Sequence, residues 1–146
     1  MLIYLDMCCL KRPFDDPSVS RNKLECEAAL ALLAIENDAL QFVRSPALFL
    51  ENGLNRVKWR AARVEEWLRK RPVVEVDEVA LASRTEVLMQ MGFKNFDALH
   101  VATAELAGAG ILGTSDDKFL GVARRNAARL KIRIIGILEL AAEIMK

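Results

Sequence analysis

Five short apolar runs punctuate the chain, at 2–5, 41–44, 73–76, 111–113 and 132–135, and between them the sequence changes to helical spacing. Runs of this length bounded by amphipathic stretches read as buried strands. The segment 20–37, "SRNKLECEAALALLAIEN", is rich in Ala, Leu and Glu, as a helix requires. Ser45-Pro46 supplies an N-cap and a proline at the first helical position, so residues 46–55 begin another. A third, over 56–70, places Val57, Ala61, Val64 and Leu68 on one face; a fourth, over 77–91, stops at Gly92; and Asn95 or Phe96 opens a fifth. Strands alternating with helices imply a parallel sheet covered on both faces, joined by right-handed crossovers. The expected fold class is therefore α/β, a three-layer α/β/α sandwich with a central parallel sheet of about five strands. With 146 residues, 53% of them hydrophobic, the chain is expected to form a single domain over 1–146. The only sizeable irregular segment, "KRPFDDPSV" at 11–19, directly follows the first strand.

Charge excludes some functions. With 21 Lys+Arg against 20 Asp+Glu, the molecule as a whole has no strong field of the kind that marks a constitutive nucleic-acid or membrane binder. Drawing several acids into one cleft would nevertheless leave the remaining surface basic. Cys8, Cys9 and Cys26 are odd in number and two are adjacent, which suits reduced, buried thiols and a reducing cytoplasm. No apolar run approaches the ~18 residues of a membrane span, and no leader precedes the first strand, so the protein is expected to be cytoplasmic.

In open parallel sheets, ligands bind beyond the carboxyl ends of the strands, where strand order reverses. Asp6 ends the first run and Asp116 follows the fourth, so both should project to that edge, as neighbours if those two strands are adjacent. Asp is depleted in strands, and Asp6 interrupts an apolar run with no turn residue beside it. Glu51, in the helix after the second run, and Asp97, in the first turn of the helix before the fourth, are the other candidates. Each has an ordinary alternative: a solvated helical glutamate, or an acid favouring the helix dipole. Two like charges ~4 Å apart repel by about 4 kcal/mol at an effective dielectric near 20, worth roughly three pK units. Four clustered carboxylates would thus want a cation, and an all-oxygen donor set favours Mg²⁺ or Mn²⁺. Those ions suit phosphodiester hydrolysis.

At these residues the sequence resembles the PIN-domain family, metal-dependent nucleases that include the VapC-type toxins of bacterial toxin-antitoxin pairs. "IYLDMCCL" resembles the opening strand and first Asp, "SPALFLENGLNR" the helix with the second acid, "FDALHVATAE" the block with the third, and "LGTSDDKFL" the strand and Thr-x-Asp that hold the fourth. The resemblance spans nearly the whole chain. It implies that Asp6, Glu51, Asp97 and Asp116 are the catalytic, metal-binding acids, with Asp117 a lesser neighbour. It further implies an endoribonuclease using Mg²⁺ or Mn²⁺ to yield a 5′-phosphate and a 3′-hydroxyl. An RNA substrate, an antitoxin partner and a homodimer are implied with it. Met7 and Cys8 stand where the family commonly has small polar residues, and the Cys-Cys pair followed by "LKRPFDD" resembles a bacterial subgroup.

Other residues are read by their surroundings. His100, one helical turn after Asp97, sits in "ALHVA", where packing is its expected role. Thr114 and Ser115 can bond a metal-held water, although capping the following helix is the expected role for Ser115. Arg56, Lys58, Arg60 and Arg63, and the later Arg124, Arg125, Arg129, Lys131 and Arg133, are either contacts for RNA phosphates or ordinary solvated faces. Trp59 and Trp67 read as core or dimer contacts. Two other functions stay open: a PIN scaffold that binds RNA or protein without cutting, and a PIN nuclease of RNA processing without an antitoxin. Phosphotransfer is disfavoured, because Cys8 stands where haloacid-dehalogenase-type phosphatases need a second Asp.

Overall fold

The structure, a computed structural model, describes residues 1–15, 18–35 and 37–145. Asp16 and Pro17 of the 11–19 loop and Glu36 of the 20–37 helix lie outside the described residues. Strands β1 (Leu2–Leu5), β2 (Gln41–Phe42), β3 (Ile111–Thr114) and β4 (Arg133–Gly136) form one sheet. Its order is β2-β1-β3-β4 and every pairing is parallel. Helices α1 (Met7–Lys11) and α2 (Ser20–Leu33) follow β1, and α3 (Pro46–Gly53), α4 (Lys58–Arg69), α5 (Glu78–Gln90) and α6 (Asn95–Leu106) lie between β2 and β3. Helix α7 (Asp117–Arg125) links β3 to β4, and α8 (Ile137–Ile144) closes the chain.

The sheet has four strands, one fewer than expected. Residues 73–76 make only a bridge beside β2: Arg44 N donates to Pro72 O and Val74 N to Arg44 O, each at 3.0 Å. Pro72 has no N–H to extend the ladder, and Val73 is exposed, so this segment stays an edge fragment. The 11–19 segment is likewise less irregular than expected, because α1 reaches Lys11 and a 3₁₀ turn covers Arg12–Phe14. Helix α2 ends at Leu33, where Ala34 N and Ile35 N turn back onto Leu30 O and Leu32 O.

The two central strands are apolar because both their faces are covered: Ile3, Tyr4, Leu5, Ile111 and Leu112 are all buried. Gly113 is a packing requirement, since a Cβ there would stand 2.8 Å from Leu140 of α8 and 3.1 Å from Leu5. Pairing Leu5 with Gly113 sets the ends of β1 and β3 side by side, and Asp6 N donates to Gly113 O at 2.9 Å. The connection from β1 leads to β2 on one side, while β3 lies on the other. Strand order therefore reverses between β1 and β3, and the crevice opens at their carboxyl ends.

Candidate functional site

Asp6 leaves β1 in an extended conformation and caps α1, with Oδ1 accepting from Met7 N at 2.8 Å. Its Oδ2 accepts from Thr114 Oγ1 and Cys8 Sγ, both at 3.0 Å, and the residue is 4% exposed. Cys8 also accepts from Ser115 N at 3.2 Å. The polar support expected from small residues after the first Asp is thus replaced by a thiol and by Thr114. Met7 turns inward instead and is buried.

Asp116 follows β3 and caps α7, its Oδ1 accepting from Lys118 N at 2.9 Å and Phe119 N at 3.2 Å. The cap expected of Ser115 therefore belongs to Asp116. Ser115 Oγ accepts instead from Arg12 Nη2 at 2.9 Å. Asp117 pairs with Arg21, which donates to Oδ1 at 2.7 Å, and this keeps the Asp117 carboxylate below the usual range. The lesser neighbour is thus part of a surface ion pair.

Glu51 comes from α3, positioned by the expected Ser45 cap, whose Oγ accepts from Leu48 N at 3.2 Å. Its Oε1 lies 2.7 Å from His100 Nε2. His100 is fully buried, and its Nδ1 lies 2.6 Å from Tyr4 Oη, which in turn lies 2.6 Å from Ser45 Oγ. Asp6 Oδ1 stands 3.9 Å from His100 Nε2, so Asp6, Glu51 and His100 each present one donor atom, all within 4.8 Å of one another.

Asp97, in the first turn of α6, is half-buried. Burial, and then the charges of Asp6, Asp116 and Glu51, push its carboxyl up to about 7. Burial also pushes the Asp6 carboxyl well above its ordinary value. Among the described residues, the group whose ligand atoms gather within 4.8 Å is Asp6, Glu51 and His100; Asp97 lies outside that group and feels the charges of Asp6, Asp116 and Glu51. An oxygen-rich donor set under this repulsion has the chemistry of a hard divalent cation site.

The PIN domain family model matches residues 27–125. The chain belongs to the PIN-domain family. A search of curated proteins gave no match. Among solved structures, VapBC-1 from nontypeable Haemophilus influenzae is similar with a TM-score of 0.58 at 15% identity, covering 94% of this chain and 98% of that one. VapBC2 from Rickettsia felis, bound to a DNA fragment from its promoter, gives 0.54 at 15% identity over 93% and 98%. FitAcB from Neisseria gonorrhoeae gives 0.55 at 16% identity over 92% and 97%. At these identities the likeness is one of fold: the same PIN architecture runs through almost the entire chain.

Sequence reasoning assigned His100 to packing, and the structure places it against Glu51. A signal was available. Tyr4 and His100 are both polar-tipped residues inside apolar segments, and a buried Tyr or His needs a hydrogen-bond partner. Of the two tryptophans, Trp67 packs on Phe42 and donates to Leu33 O, while Trp59 is exposed beside Phe14.

Proposed function

We propose that this PIN domain is a metal-dependent endoribonuclease, the toxin of a toxin-antitoxin pair, with Asp6, Glu51, Asp97 and Asp116 as its metal-binding acids. The observation carrying this reading is geometric: Asp6, Glu51 and His100 present ligand atoms within 4.8 Å of one another at the sheet's switch point, with Asp97 near enough to feel the charges of Asp6, Asp116 and Glu51 in addition to its burial. Asp6 and Glu51 would hold Mg²⁺ or Mn²⁺ most directly, with Asp97 and Asp116 completing the acidic wall. Bound there, the ion would supply positive charge to the phosphate and lower the pKa of a water. The chain's own residues do the rest. Thr114 and Met7 N hold the Asp6 carboxylate in place, His100 holds Glu51, and the Asp116 cap ties the fourth acid to α7. Among the described residues, no helix is long and apolar enough to cross a membrane. Likeness in fold to VapBC-1, VapBC2 and FitAcB supports the toxin branch of the family and a protein antitoxin as partner.

The test is cleavage of a structured RNA by purified protein with Mn²⁺, Mg²⁺ or EDTA, beside Asp97→Asn purified identically. Metal-dependent cleavage that vanishes in the variant is expected. Equal inactivity of both, with melting temperatures that metal leaves unchanged, would sink the nuclease reading and favour a non-cutting scaffold. For the toxin role, induced expression should arrest growth with the wild type and not with Asp97→Asn.

A further inference from the structure

The two flanks of the acidic crevice hold their cations differently. On the α1 and α2 side, Arg12 bonds Asp15 at 2.8 Å and Ser115, Arg21 bonds Glu25 at 2.8 Å and Asp117, and Arg60 lies 3.5 Å from Asp15. On the α6 and α7 side, Lys94, Lys118 and Arg125 are exposed. Among the described residues their side chains form no ion pair or hydrogen bond. These three line a cavity of about 350 Å³ that opens beside Asp97, whose charge Lys94 partly offsets, and Asp117, which Arg21 holds, with Phe93 and Phe119 as its floor.

Gly121 forms part of the cavity wall from within α7. An interior helical glycine costs roughly 1 kcal/mol relative to alanine. Packing does not demand it here, because a Cβ would approach only the mobile end of Arg125, at 3.4 Å. What the missing side chain does is leave the wall open.

We propose that this cavity is a nucleotide subsite, taking one unpaired nucleotide of an RNA strand next to the phosphate that faces the acids, with Lys94, Lys118 and Arg125 on the flanking phosphates. It rests on the nuclease reading above and adds to it the flank on which the RNA lies and a preference for unpaired strands. The three cations match the charge of the backbone, and the apolar floor gives a seated base van der Waals contact. A paired base cannot enter such a pocket, so single-stranded RNA is the substrate that fits. RNA entering from the opposite flank would have to break the ion pairs of Arg12 and Arg21.

The experiment is an anisotropy titration of a fluorescein-labelled single-stranded RNA across a salt series, in an Asp6→Asn background with Mg²⁺ to prevent cleavage. Lys94→Ala/Lys118→Ala should weaken binding at least ~10-fold at low salt and flatten the slope of log Kd against log salt by about 1.4, two single-strand phosphate contacts. Lys23→Ala/Lys70→Ala, which removes the same charge away from the cavity, should do neither. Gly121→Leu fills the cavity while improving helix propensity, so it should weaken single-strand binding with melting temperature unchanged or raised. Unchanged affinity in both cavity variants overturns the subsite, as does an equal loss for duplex RNA of the same length. Loss of an acidic decapeptide's binding with RNA binding intact would assign the flank to a protein and overturn it too. The underlying nuclease reading fails separately: RNA bound through these lysines yet never cut by wild type sinks that reading alone, whereas cleavage undiminished in Lys94→Ala/Lys118→Ala sinks the subsite alone.

Discussion

His100 Nε2 lies 2.7 Å from Glu51 Oε1, and the far side of the same ring is fixed at 2.6 Å by Tyr4. Ser45, which caps the helix carrying Glu51, lies at the other end of this line of contacts. The orientation of Glu51 is thus tied to β1, α3 and α6 at once. Burial pushes the Tyr4 hydroxyl pKa well up, so Tyr4 stays a neutral partner.

Residues that orient a metal ligand typically contribute 10–100-fold to metal affinity. His100→Ala should therefore weaken Mn²⁺ binding by roughly that factor, as measured by calorimetry. His100→Gln, which can still donate to Glu51, should recover part of the loss. Tyr4→Phe should have a smaller effect in the same direction. If His100→Ala binds Mn²⁺ as tightly as wild type, Glu51 does not depend on the histidine.

Asp97 carries a pH signature. Its folded pKa of about 7 lies above the ordinary carboxylate value of 3.8, so the folded protein binds the extra proton between those values. Without metal, that makes stability fall as pH rises through this window and level off above about 7. Asp97→Asn removes this pH dependence. Its advantage over wild type in EDTA should grow by up to about 3 kcal/mol between about pH 5 and pH 8, or roughly 5–10 °C in Tm. Metal competes with the same proton, so wild-type Mn²⁺ affinity should rise over the same range. A Tm difference flat across pH would show that Asp97 titrates normally.

The sequence located much of this because particular residues broke local rules. Asp6 ends an apolar strand without a turn residue, and Asp116 does the corresponding thing after β3; a parallel sheet sends both to one crevice. Glu51 and Asp97 were candidates by position, and the resemblance singled them out, since a helical acid has an ordinary solvated alternative. His100 was hidden by its apolar neighbours, whose pattern says burial and not partner. The 73–76 run was misread because periodicity registers apolar residues, whereas a ladder also needs donors, and Pro72 has none. Lys94 and Lys118 could not be singled out from a sequence with 21 basic residues, because having no ion-pair partner among the described residues is a tertiary fact.

Gly113 reports on how rigidly the floor of the site is built. Alanine there would place a methyl 2.8 Å from Leu140 Cδ2 and 3.1 Å from Leu5 Cδ2. Overpacking of this kind costs about 1–3 kcal/mol. The urea midpoint of Gly113→Ala should fall accordingly, and because Gly113 O holds Asp6 N, metal affinity should fall with it. Gly113→Ala/Leu140→Ala should regain part of the loss by opening space. A single variant as stable as wild type would mean that α8 moves aside freely.

Cys8 separates polar support from packing. Its sulfur touches Asp6 Oδ2 at 3.0 Å, Thr114 Oγ1 at 3.3 Å and Ser115 N at 3.2 Å, so it links both strand ends that carry acids. Hydrogen bonding, first with Cys9 and then with Ser115 and Thr114, pulls its thiol down to about 5, while burial pushes Asp6 upward. Removing the sulfur leaves buried groups unpaired, at about 1–3 kcal/mol. Cys8→Ala should lower the urea midpoint by that amount and weaken Mn²⁺ binding, whereas Cys8→Ser keeps a donor and acceptor in place and should retain most of both. Should Ser and Ala prove equally damaging, the sulfur's bulk would be what matters, and the thiol would have no part in holding Asp6.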